Sequence, residues 1–183
     1  VLAYAVPDAP TEGARAMQAN LQKFYNNLKR DFLFDDFRIE MKKCGVINAY
    51  SGPDIKLCLE VAQDTIGNKL PGVFNFILLH ELGHSFLRLW GSPAWNNEDV
   101  ADQFATAFLI MGGRSKDGLE AAQWWRNQNT LSAALQRPIH GDPHSPPGQR
   151  AKNIEKWLGE GSEFARQWHG RLIPHVRTEA LRA

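Results

Sequence analysis

His80-Glu81-Leu82-Gly83-His84 constrains this chain more than any other stretch. It is an HExxH pattern. Phe74-Asn75-Phe76-Ile77-Leu78-Leu79 precedes it and Phe86-Leu87-Arg88-Leu89-Trp90 follows it. Pro71-Gly72 punctuates the start of the segment and Gly91-Ser92-Pro93 its end. The pattern predicts a helix from about Val73 to Trp90, apolar nearly all round and hence buried. Residues four apart share a helix face, so His80 and His84 can aim at one metal ion with Glu81 beside it. A carboxylate there can take a proton from water activated by the ion, which suits zinc-assisted hydrolysis, most often of a peptide bond. With 6 His and 10 Glu in 183 residues, chance supplies about 0.01 such matches. The competing reading is two histidines capping a buried helix face, with Glu81 exposed. Burial argues against it, because buried His and Glu need partners and an ion supplies one. Gly83 costs about 1 kcal/mol inside a helix relative to alanine, so something is expected to pack closely there.

A catalytic zinc site takes three protein ligands and keeps a fourth position for water. The next segment, Asn96 to Met111, reads as a second helix, capped by Asn96 or Asn97 and stopped by Gly112-Gly113. Glu98 and Asp102 are four apart and share a face; Ala101 and Ala105 are small enough to let that face approach the first helix. Glu98 is the expected third ligand, with Asp99 its competitor. Asp102 is expected behind it, accepting the free ring N–H of a ligand histidine and fixing its tautomer. The plainer reading, an acidic first turn complementing the helix dipole, accounts for Glu98 and Asp99 but less well for Asp102, which lies among Val100, Ala101 and Phe104.

These residues resemble the gluzincin metallopeptidases, whose HExxH is followed by a helix carrying Asn-Glu-x-x-x-Asp, here Asn97-Glu98-Asp99-Val100-Ala101-Asp102. The interval from His84 to Glu98 is shorter than in thermolysin-like members. A closer resemblance is to the DUF4344 type of bacterial metallopeptidases. It rests on Met41–Tyr50 with Cys58-Leu59-Glu60, on the HELGH-to-EDVADQFA region, and on His144–Asn153. The resemblance implies a zincin-like α+β domain over residues 1–183, one catalytic Zn2+ and Glu81 as general base. It also implies a substrate-binding edge strand at Asn48, Ala49 and Tyr50, by analogy with a similar Asn-Ala-aromatic strand; the alternative is an ordinary hairpin strand. His144, in a Pro-rich loop, is the expected donor to the developing oxyanion, ahead of Tyr50 and Arg150. Cys44 and Cys58 flank a strand-turn-strand pattern. The residues allow either a disulfide or two buried thiols, and the resemblance favours the disulfide, hence export to the periplasm or outside the cell.

Composition narrows the rest. At 183 residues and 43% hydrophobic, one compact domain is expected. A net charge of +1 gives no case for nucleic acid or an anionic membrane. No apolar run reaches the roughly 18 residues of a membrane span. The chain opens Val1-Leu2-Ala3-Tyr4-Ala5 without Met, so a signal peptide is expected to have been removed.

Met17, Leu21, Phe24, Tyr25 and Leu28 have helical spacing, giving a long N-terminal helix packed on a sheet. Strands are expected over Phe32 to Met41, continuing to Tyr50, and over Ile55 to Val61, with a turn at Ser51-Gly52-Pro53-Asp54. Further helices are expected over Gly118 to Gln128, Leu131 to Leu135, Gln149 to Trp157 and Ser162 to Gly170. Trp95, near Glu98, is a candidate pocket wall. The leading expectation is a zinc peptidase acting on a peptide or protein, open to a protein inhibitor or activator. Its rivals are a non-proteolytic zinc-holding module that recognises a peptide or partner, and a closed structural zinc site, for which no fourth ligand is evident.

Overall fold

The structure, a computed structural model, describes residues 2–4, 12–128 and 145–182. A small mixed sheet lies against a stack of helices, an α+β arrangement in one domain. Helix α1 (Glu12–Asp31) buries Leu21, Tyr25 and Leu28. The sheet contains β1 (Leu2–Tyr4), β2 (Ile39–Lys42), β3 (Ala49–Ser51) and β4 (Ile55–Cys58), in the order β1-β2-β4-β3. β1, β2 and β4 run parallel, and β3 turns back antiparallel on β4. Alternation sets its faces: Ile39, Met41, Ile55 and Leu57 are buried inward, while Lys42, Lys56 and Tyr50 point outward.

Helix α2 (Leu59–Gly67) follows β4 directly, then α3 (Gly72–Leu89), α4 (Glu98–Met111), α5 (Ser115–Asn127), α6 (Pro147–Glu160) and α7 (Ser162–Leu172). A 3-10 turn (Ile173–His175) and a short α8 (Thr178–Leu181) close the described chain. α3 sits at the centre, touching β3, α4 and α5, and Val73, Phe76, Leu82 and Phe86 along it are fully enclosed. The expectation of a helix apolar nearly all round therefore holds, with its end within a residue of the predicted one. Asn97 caps α4: its side chain accepts the Val100 N–H at 3.0 Å. Gly112 and Gly113 end that helix as expected, with Gly113 at φ +69°.

The predicted strands need correction. Of the Phe32-to-Met41 stretch only Ile39 to Met41 belongs to a strand, β2, and Phe32 makes one isolated antiparallel bridge to Val176. Phe32, Phe34 and Phe37 instead join Phe86 in an aromatic cluster with ring centroids 4.8–6.3 Å apart; aromatic residues suit a strand pattern and a packed turn equally well. The expected continuous strand to Tyr50 breaks after Lys42 at a bend round Gly45 (φ +80°). β2 and β3 thus lie on opposite sides of β4 instead of forming one hairpin arm. Leu59 to Val61 belongs to α2, not to a strand. Val61, Ala62 and Thr65 are its buried positions, a helical spacing masked by the short apolar run before it. The expected helix at Leu131 to Leu135 lies outside the described residues.

Candidate metal centre

The site is built where α3 crosses α4. Gly83 permits that crossing: a Cβ on it would lie 3.0–3.1 Å from Phe104 side-chain atoms. With Ala101 and Ala105 also fully buried on α4, the small residues let the helices approach. His80 and His84, one turn apart on α3, face Glu98 in the first turn of α4. His80 Nε2 lies 2.9 Å from Glu98 Oε2, His84 Nε2 lies 3.3 Å from Oε1, and the two Nε2 atoms are 3.2 Å apart. One ligand atom from each of the three residues lies within 4.8 Å of the others, a group able to hold a metal ion. Asp99 is not in it; its carboxylate accepts from the Ser145 hydroxyl at 3.1 Å.

The far side of each ring is held. His80 Nδ1 donates to Asp102 Oδ1 at 2.7 Å, and His84 Nδ1 donates to the Trp95 carbonyl at 2.7 Å. Partners of this kind place the ring proton on Nδ1 and leave Nε2 as a lone pair. Two imidazole lone pairs and two carboxylate oxygens then converge in a buried space. Such a donor set needs a cation, either protons on the rings or a metal ion. The electrostatics agree: burial works against charge on His80, yet the hydrogen-bonded Asp102 and Glu98 carboxylates outweigh it and push its pKa up to about 10. Two imidazoles and one carboxylate are a set that zinc takes in hydrolytic sites. The residues therefore fit the ion.

Asp102 is itself clamped. Arg150, from the first turn of α6, donates Nε to Asp102 Oδ2 at 2.8 Å and an Nη to Oδ1 at 2.7 Å. Its guanidinium carbon lies 3.7 Å from the Trp125 ring centroid. Asp102 is 1% exposed and Arg150 7%. Burial raises the Asp102 carboxyl, but the Arg150 charge and the His80 contact outweigh it and bring the pKa down to about 2. Arg150, one of the candidate oxyanion donors, stands behind Asp102, which stands behind His80. The signal in the sequence was the buried set Arg150, Ala151 and Ile154 on one face of α6, since an arginine on an apolar face needs an acid.

Glu81 is buried, 8% exposed, between the two histidines in sequence. Burial pushes its carboxyl up, opposed by His80 and His84. Trp95 is 43% exposed and serves His84 through its backbone carbonyl. His144 lies outside the described residues.

Asn48, Ala49 and Tyr50 lie at and before β3, the edge strand, which packs on α3 through the Ser51 and Ser85 hydroxyls, 2.9 Å apart. Cys44 and Cys58 form a disulfide with their Cα atoms 5.5 Å apart. Glu60 braces the same loop, accepting the Cys44 N–H at 3.1 Å and the Gly45 N–H at 2.6 Å. Clefts of about 620 and 310 Å³ lie beside the hairpin and beside Trp90; His80, His84 and Glu98 line neither. No helix among the described residues is long and apolar enough to cross a membrane.

No curated protein and no solved structure matches the chain. A family model described as "Putative metallopeptidase" matches residues 12–169, a span that takes in α3, α4 and Arg150. The chain belongs to that family, DUF4344.

Proposed function

We propose that this protein is a zinc peptidase of the gluzincin kind, a zincin-like domain over residues 1–183, with His80, His84 and Glu98 holding the ion. The observation that carries the reading is the convergence of those three side chains with both Nδ1 atoms turned to fixed acceptors. A zinc ion in such a set supplies Lewis-acid chemistry, acidifying water and polarising a carbonyl. Glu81 accepts the proton that the attacking water gives up and delivers it to the leaving amine. Its burial supports the role, because a desolvated carboxylate binds a proton more readily.

Asp102 orients His80, Arg150 keeps Asp102 ionised and in place, and the Trp95 carbonyl orients His84. The substrate lies extended along β3, pairing with Asn48, Ala49 and Tyr50 by strand addition. Their place at the sheet edge beside α3 supports this. His144 donates to the oxyanion. The disulfide suits an oxidising compartment, the periplasm or the outside of a bacterial cell. Metal-quantified wild type beside Glu81→Gln tests the reading on a peptide library. Chelator-sensitive cleavage by wild type alone is expected. One retained metal with no cleavage by either protein would mean a non-catalytic zinc module.

A further inference from the structure

β3 is the outermost strand, three residues long and paired on one side only, to β4. The ladder fixes its register, Ala49 to Leu57 and Ser51 to Ile55. It leaves an outer strand free to tilt about its neighbour, because no ladder bond holds the far side. Tilting would carry β3 towards or away from α3. Two side chains of α3 oppose that motion. The Ser85 hydroxyl lies 2.9 Å from the Ser51 hydroxyl, and Arg88 donates to the Gly52 carbonyl in the turn. Ser85 is 1% exposed, so water is a poor substitute for its partner. The disulfide and Glu60 act elsewhere: they tie the loop before β3 to β4 and α2.

The same two contacts set the direction of the strand. Glu81, Ser85 and Arg88 stand at i, i+4 and i+7 on α3, one stripe that starts at the proposed proton acceptor. Ser51 meets Ser85 and Gly52 meets Arg88, so β3 advances in the same sense as α3. Ala49 precedes Ser51 by two residues on the same inward face, about 6.8 Å back along the strand. Glu81 precedes Ser85 by four residues, about 6 Å back along the helix. The contacts therefore bring Ala49, which packs on the buried core, to the level of Glu81. The Asn48 carbonyl already accepts the Cys58 N–H of β4. By antiparallel alternation the Ala49 carbonyl and the Ser51 N–H turn to the open edge, where an added peptide would pair.

We propose that Ser85 and Arg88 are positioning residues for the substrate strand: together they hold β3 against α3, so that a peptide added along β3 passes Glu81 and the metal ligands at a fixed height. The proposal rests on the peptidase reading for the path of the peptide; binding, metal retention and cleavage are therefore measured separately. Without the two contacts, β3 must be docked again each time a peptide binds. If its docked fraction falls to about a tenth, the apparent Kd rises about tenfold, while the complex once formed is the same. The loss belongs in KM and not in kcat.

A fluorescent octapeptide, the tightest binder of a randomised library, is titrated by anisotropy into metal-loaded Glu81→Gln protein and into the same protein carrying S85A/R88M. Acetohydroxamate, small enough to reach the metal without pairing along β3, is titrated beside it, and metal retention is followed against a chelator. The octapeptide should bind the variant roughly tenfold more weakly, the scale of two hydrogen bonds. Acetohydroxamate affinity and metal retention should stay within about twofold. S85A/R88K, which keeps a donor for the Gly52 carbonyl, should recover part of the octapeptide affinity. In the wild-type background S85A/R88M should raise KM about tenfold and leave kcat within about twofold. Unchanged octapeptide affinity overturns the proposal. So does a loss of acetohydroxamate or metal as large as that of the octapeptide, since the two residues would then support the metal centre and not the strand. Octapeptide binding that depends on Ser85 and Arg88, with no cleavage by wild type, would leave the proposal standing and remove the peptidase. Cleavage with an unmoved KM would do the reverse, and a library without any binder would overturn both.

Discussion

The crossing of α3 and α4 and the β3–β4 hairpin keep their shapes by opposite means. At the crossing the polar groups are buried, and each ring or charge is held by another: Trp125 under Arg150, Arg150 on Asp102, Asp102 on His80. In the hairpin the polar groups are exposed, and shape comes from a covalent cross-link and one bracing carboxylate. Desolvation makes the first arrangement all-or-none, because a buried charge that loses its partner has no water to fall back on. The hairpin can lose a charge cheaply, since water replaces the partner. Geometry that must be held to fractions of an ångström belongs in the first kind of structure.

The largest effect should separate ligand from support. His84→Ala should abolish retention of the metal through dialysis. Asp102→Asn should weaken it by about 10–100-fold, as for other losses behind a ligand. Metal content read against a graded chelator distinguishes them; equal losses would mean that Asp102 is itself a ligand. Next comes the buried charge. Arg150→Met strands the Asp102 carboxylate and should cost about 3–5 kcal/mol in urea unfolding. Lys56→Met, on the hairpin, should stay within about 0.5 kcal/mol. Similar values for the two would erase the contrast between the regions.

Reducing the disulfide, or replacing both Cys44 and Cys58 with Ser, should cost about 3 kcal/mol by the loop-entropy argument and leave metal stoichiometry unchanged. Release of the metal on reduction would show that hairpin and crossing form one cooperative unit. Gly83→Ala is expected to have the smallest effect at the crossing. Alanine's helix preference returns about 1 kcal/mol. The new Cβ, however, meets Phe104, which is fully buried among Phe86, Phe108 and Trp168 and has nowhere to move. Overpacking costs about 1–3 kcal/mol, so a net loss of up to about 2 kcal/mol is expected, with weaker metal retention. A stabilised Gly83→Ala protein would mean that the two helices are not held at contact.

Much of the crossing was legible in the sequence because polar residues there stand in the wrong company. His80, Glu81 and His84 interrupt an apolar helix, and Asp102 sits among Val100, Ala101 and Phe104. Gly83 announced a close approach by its cost. Arg150 was harder to place. Its partner lies 48 residues away, and only the face it shares with Ala151 and Ile154 marked it as buried. The hairpin was read less well for a different reason. Alternation holds from Ile39 to Lys42 and lapses at Lys43 and Gly45, which marks a bend, but nothing local says that the bend sends the two halves to opposite sides of β4. Strand order is set by long-range pairing, which a residue pattern does not carry. Likewise Leu59 and Val61 suit a strand by type, and the helical spacing emerges only when Thr65 is included.

The central claim, that Glu81 moves the proton in a reaction supported by a metal on His80, His84 and Glu98, is tested most directly by one comparison. Wild type and Glu81→Gln, each with its metal content measured, are incubated with the same peptide library with and without chelator. The expected result is one metal per chain in both, chelator-sensitive cleavage by wild type, and a loss of about 10²–10⁴-fold in the variant. Cleavage by Glu81→Gln at the wild-type rate would contradict the account.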